Sequence, residues 1–231
     1  YKRYASAPKA TAVAHAIDFR QEGSRMAVVS ELTLANGTGE ALPEVLLYLN
    51  PGLEVTSVRE GGAPLVFGRD AQVVWVSRRM EAGDTLRLRG GYAGEIDEAV
   101  CHVNVAEDTW SNTRRGSEMC MRYGKRYAYV ERGYTLLTPG ALWYPTMLPP
   151  ENPSSVYDAP VDFTRFSLRV RNPERQTVIS QGRRSGTPED ILFRDEHPLP
   201  GISLCMGDYS TRRVTVDSVT YEINLLRGHE Y

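Results

Sequence analysis

Apolar and polar side chains alternate with a period of two along most of this chain, and that rhythm constrains its fold more than any other feature. In Phe166-Ser167-Leu168-Arg169-Val170-Arg171 one parity is apolar and the other polar. Successive strand residues point to opposite faces, so the segment reads as a half-buried strand. Asp84 to Arg89 and Met26 to Leu34 repeat the design, while the apolar runs Val45 to Leu49 and Val73 to Val76 read as strands covered on both faces. Turn signals at Asn36-Gly37-Thr38-Gly39, Gly61-Gly62-Ala63-Pro64, Ala82-Gly83-Asp84 and Asn172-Pro173 separate the runs. No stretch of 12 residues carries a clean i, i+3, i+4, i+7 stripe. The expectation is an all-β chain, an antiparallel β-sandwich with little helix.

A length of 231 residues with 41% hydrophobic content supports one sizeable core, so a single all-β domain over 1–231 is expected. Two segments interrupt the alternation and read as irregular loops: the polar stretch 104–124 and the proline-rich stretch 145–162. The longest apolar run, Val45 to Leu49, is far shorter than the ~20 residues of a membrane helix, so no insertion by this chain is expected. The chain opens at Tyr1 without a leader and is read as an excised piece of something longer.

Charge and candidate reactive groups exclude more than they suggest. A net charge of -2 argues against nucleic-acid binding. Arginine outnumbers lysine 24 to 3, but the pairs Arg78-Arg79, Arg114-Arg115, Arg183-Arg184 and Arg212-Arg213 are scattered among acids and read as solvated strand faces and turns. His15, His102, His197 and His229 are too dispersed for a zinc motif, and no G-x-S-x-G elbow or phosphate loop occurs. Cys101 and His102 are strand neighbours pointing apart, and Cys120 has no base near it in sequence. Three cysteines, Cys101, Cys120 and Cys205, leave at least one free thiol; a Cys101–Cys120 bridge stays open. Catalytic residues, metal ligands and cofactors are therefore expected to be absent from this chain.

The densest aromatic cluster runs from Tyr123 through Tyr127, Tyr129 and Tyr134 to Leu142-Trp143-Tyr144-Pro145. Such side chains can pack a core, dock a partner domain, or offer a carbohydrate platform together with Trp110.

At this cluster the sequence resembles the N-terminal domain of the aminopeptidase N family of zinc metallopeptidases. The order of motifs carries the likeness: His15 to Phe19, the strand from Met26, then Leu47-Tyr48-Leu49-Asn50 and Leu53 to Val58. Gly62-Ala63-Pro64-Leu65, Tyr92-Ala93-Gly94-Glu95-Ile96 and Leu142-Trp143-Tyr144-Pro145 follow. Phe163 to Val170, Thr177 to Gly182 and Leu199 to Leu204 close the series. The nearest likeness is to a bacterial subgroup whose peptidase region follows a transporter-like membrane segment, which implies a membrane-associated parent.

The resemblance implies a saddle-like sandwich that docks on and shields a zinc-bearing catalytic domain expected after residue 231. Zinc and peptide substrate would belong to that parent and not to this chain. Tyr134, Leu136, Leu137, Trp143, Tyr144 and Pro145 are the candidate docking or cleft-facing residues. In many members this domain lends a Glu or Gln to the substrate amine; the corresponding position falls near Leu136 or Leu137, which cannot accept a hydrogen bond. That departure implies a parent with different substrate anchoring, or one without activity. The rival expectation is a stand-alone carbohydrate- or protein-binding sandwich.

Overall fold

The computed structural model describes residue 4, residues 6–100, 128–148 and 162–228. In chain order the first strands are β1 (Thr11–Glu22), β2 (Arg25–Ala35), β3 (Val45–Tyr48), β4 (Leu53–Glu60), β5 (Ala63–Pro64) and β6 (Phe67–Asp70). Next come β7 (Val73–Val76), β8 (Thr85–Gly94), β9 (Tyr129–Glu131), β10 (Tyr134–Leu137), β11 (Arg165–Arg171) and β12 (Thr177–Ser180). The last are β13 (Arg183–Thr187), β14 (Asp190–Arg194), β15 (Leu204–Gly207), β16 (Tyr209–Val216) and β17 (Val219–Leu226). Short 3₁₀ turns at Glu98–Val100 and Pro139–Ala141 are the helical elements assigned among the described residues. The all-β expectation holds.

Eight strands form one broad sheet in the order β13-β14-β11-β1-β2-β8-β4-β5. A four-stranded sheet, β12-β15-β10-β9, and a three-stranded one, β3-β7-β6, supply the second layer. Among the described residues pairing is antiparallel with one departure from expectation: β1 lies parallel to β11, with Ile17 opposite Leu168. Parity explains which side chains meet between the layers. In β2 the buried set is Met26, Val28, Ser30, Leu32 and Leu34, and the intervening residues face out. In β1 a bulge at Val13 shifts the register, so that Ala12 and then His15, Ile17 and Phe19 all point inward despite their different parity.

The central core joins Phe19, Leu34 and Val170 of the broad sheet to Leu47, Val76, Leu137 and Trp143 of the other layer. β3 is buried along its whole length, as its unbroken apolar run predicts. Leu46 and Tyr48 face away from the main core and pack with Val73 and Leu142. The segment expected to be irregular from Pro145 begins with a bridge between Tyr48 and Thr146. Residues 149–161 and the whole of 104–124 lie outside the described residues.

Candidate functional site

The two layers present outer faces of different chemistry. On the broad sheet, Asp18 and Arg20 of β1, Glu31 of β2, Arg87 and Arg89 of β8 and Arg169 and Arg171 of β11 point outward. Arg171 reaches Asp18 and Asp190 at 3.1 Å each, Arg89 reaches Glu31 at 3.3 Å, and Arg169 also pairs with Asp190. Half-exposed pairs of this kind hold the face solvated and contribute little stability each. The arginines thus lie on strand faces and turns among acids, as their spacing suggests; Arg114 and Arg115 lie outside the described residues.

The four-stranded sheet is the opposite case. Its inner side buries Val130, Thr135, Leu137, Val178, Leu204 and Met206. On its outer side the register aligns Ile179 of β12, Cys205 of β15, Leu136 of β10 and Tyr129 of β9 in one row across all four strands. All four are half-buried. Tyr134 stands one step along, its ring edge-on to Tyr129 at 5.5 Å, and Tyr209 closes the row's end against Gly207. Burial raises the proton affinity of the Cys205 thiol and pushes that of the Tyr209 phenol up to about 12. The thiol is therefore the neutral form, a small apolar group and not a nucleophile.

The six expected site residues divide between the two sides of this layer. Tyr134 and Leu136 lie on the outer row, and Pro145 is half-buried at the rim of a void of about 30 Å³. Leu137 and Trp143 are 0% exposed and Tyr144 is 6% exposed. The Trp143 ring stands perpendicular to Phe19 at 6.0 Å and to Tyr144 at 4.8 Å, packing that ties the second layer to β1. Tyr144 Oη accepts a hydrogen bond from the Ile202 amide at 3.1 Å, and Gly201 permits that approach because a Cβ there would lie 2.9 Å from the same oxygen. A buried Trp143 offers no stacking platform, and Trp110 lies outside the described residues.

Sequence reasoning missed three buried asparagines that shape the loops around this layer. Asn50 is 0% exposed, and its amide donates to the carbonyls of Asp97 and Ala141 at 3.0 Å each. Its Oδ1 accepts from the amides of Gly52 and Asp97. Asn36 and Asn172 close loops in the same way, at Glu40-Met80-Glu81 and at Gln176-Pro188. Asn followed closely by Gly or Pro signals a turn but not the burial of the side chain that shapes it.

No reactive constellation emerges among the described residues. His15 is buried, 2.5 Å from Ser30 Oγ and edge-on to Tyr144; loss of hydration pulls its pKa from 6.5 down to about 3, so it is neutral. His197 is exposed, and no three His, Cys, Asp or Glu side chains converge as a metal site would require. The described residues do not fit a zinc ion. Cys101, His102, Cys120 and His229 lie outside the described residues.

With this geometry in hand, comparison with known proteins gives a consistent answer at the level of architecture. No family model and no curated sequence matches the chain. Among solved structures, it superposes on the M1 zinc metallopeptidase of Deinococcus radiodurans with a TM-score of 0.64 at 18% identity, over 94% of this chain and 46% of that one. A two-domain M1 zinc metallopeptidase bound to L-tryptophan gives 0.63 at 18% identity, over 93% and 47%. Yeast LTA4 hydrolase gives 0.59 at 14% identity, over 90% and 30%. The likeness shows the fold. This chain spans less than half the length of these neighbours, and its fold is one that larger zinc metallopeptidases contain.

Proposed function

We propose that this chain is the non-catalytic N-terminal β-sandwich of a zinc aminopeptidase, and that it docks on and shields the catalytic domain and its substrate cleft. The carrying observation is the contrast between faces: ion pairs cover the broad sheet, while Ile179, Cys205, Leu136 and Tyr129 form an apolar row across the smaller one. An apolar row that crosses all four strands of a sheet's outer face is the kind of surface that meets another domain. β10 presents Tyr134 and Leu136 to that domain, and buried Leu137, Trp143 and Tyr144 hold the strand in place from behind. Pro145, next to the Thr146 bridge to Tyr48 of β3, approaches the cleft in this reading.

The solved neighbours support the reading, because zinc metallopeptidases described as two-domain contain this fold in under half their length. Zinc and peptide hydrolysis belong, in this proposal, to the other domain. The bacterial, membrane-associated parent rests on the sequence resemblance, and fractionation of the full-length protein tests it. The functional test is direct. Purified with excess zinc, this chain should bind no stoichiometric metal and release no N-terminal residue from peptides, while the full-length protein does both. In the latter, Leu136→Asp should lower the temperature at which activity is lost by several degrees. Turnover by this chain alone, or an indifferent Leu136→Asp, defeats the proposal.

A further inference from the structure

The β16–β17 hairpin leaves the sheets just after β15 and pairs only with itself among the described residues. Its two faces differ sharply. On one, Thr211 bonds Asn224 at 2.6 Å, Arg213 bonds Glu222 at 2.6 Å, and Thr215 meets Thr220 at 3.1 Å. On the other, Val214 stands opposite Tyr221 and Val216 opposite Val219, with Ile223 beside them, paired at the face's inner end with Arg212. These five side chains are 60%, 55%, 52%, 52% and 58% exposed in that order. They make up most of the exposed large hydrophobic side chains among the described residues. A two-stranded ribbon is marginal in water by itself, and one whose apolar residues keep strict parity is built to have one face covered.

We infer that the apolar face of this hairpin is covered by the second domain of a longer chain, the one assigned zinc and catalysis above, and that the hairpin forms part of the seam between them. The inference rests on that reading and deepens it by naming the contact. Two observations select this occupant. The structural match to an M1 peptidase covers 94% of this chain, so at least part of the 18-residue hairpin region is matched inside a protein more than twice as long. The hairpin's base also adjoins the docking row: Tyr209 and Leu226 both pack against Gly207, beside Tyr134. One partner can therefore lie across the row and the ribbon together. A covering layer would also supply partners for the backbone edges of β16 and β17, which no other strand pairs among the described residues.

Hydrogen–deuterium exchange tests this in the full-length protein and in the 231-residue chain side by side. Amides of residues 209–226 should exchange at least tenfold more slowly in the full-length protein, and Tyr221→Asp should abolish that difference without changing exchange in β1, β2 and β8. Equal exchange in the two proteins overturns the seam, even if the full-length protein binds zinc and cleaves peptides, in which case the functional reading survives. Protection that persists in a full-length protein lacking zinc and activity supports the seam and defeats the functional reading. Protection that appears in the 231-residue chain as its concentration rises, or on adding phosphatidylglycerol vesicles, assigns the face to a second copy or a lipid surface and overturns the inference.

Discussion

Asn50 shows how one side chain can set the course of three loops. Its carboxamide meets backbone groups of Gly52, Asp97 and Ala141, so it fixes where the chain leaves β3, where it leaves β8, and where it enters Trp143. Arg69 supports the same loop, its guanidinium donating to the carbonyls of Leu49, Asn50 and Leu53. Buried backbone groups that lose their partner keep the desolvation cost without the bond. Asn50→Ala should therefore lower stability by about 3 kcal/mol in urea unfolding. Asn50→Asp should cost at least as much, because a carboxylate oxygen would face the carbonyl oxygens of Asp97 and Ala141. A loss below about 0.5 kcal/mol for both would show that the loops hold themselves. None of this is legible in the sequence: Leu47-Tyr48-Leu49-Asn50 stands out as a motif, yet nothing there tells a buried amide from a surface one.

Strands were the most legible level. Met26 to Leu34, Asp84 to Arg89 and Phe166 to Arg171 became β2, β8 and β11 because alternation is a direct imprint of one buried face. Register was less so, since the bulge at Val13 reverses parity inside β1 without any proline or glycine to mark it. The β16–β17 hairpin is hard to read from the sequence for a related reason. Its connection is Asp217-Ser218, with φ of 48° and 67°, a two-residue turn that usually announces itself with Asn-Gly. Serine pays a steric penalty in that left-handed region. Asp217→Asn with Ser218→Gly should relieve it and slow amide exchange in residues 209–226 by several-fold, corresponding to about 1 kcal/mol. Faster exchange in the double variant would mean that the turn is held by contacts its backbone angles do not reveal.

For the molecule as a whole, His15 links the layers: it lies on β1, bonds Ser30 of β2, and packs against Tyr144 and Phe166. Its folded pKa of about 3 lies below the 6.5 of the exposed ring. The unfolded chain therefore binds the proton more readily, and the neutral ring's contribution to stability is complete above pH 6.5 and declines as pH falls toward 3. The expected slope approaches 1.4 kcal/mol per pH unit in the middle of that window. His15→Gln should flatten it in urea titrations between pH 6 and 4, whatever it does to stability at pH 8; an unchanged slope would place the acid sensitivity elsewhere.

The parallel pairing of β1 with β11 carries a consequence for how the chain is made. Asp18 and Arg171 bond across β1 and β11 although 153 residues separate them. At a synthesis rate of about 5–20 residues per second, β1 waits roughly 8–30 s for its second neighbour. Throughout that interval the strand that ends at the middle of the finished sheet is an open edge on the nascent polypeptide, and it stays open until the ribosome has delivered β11.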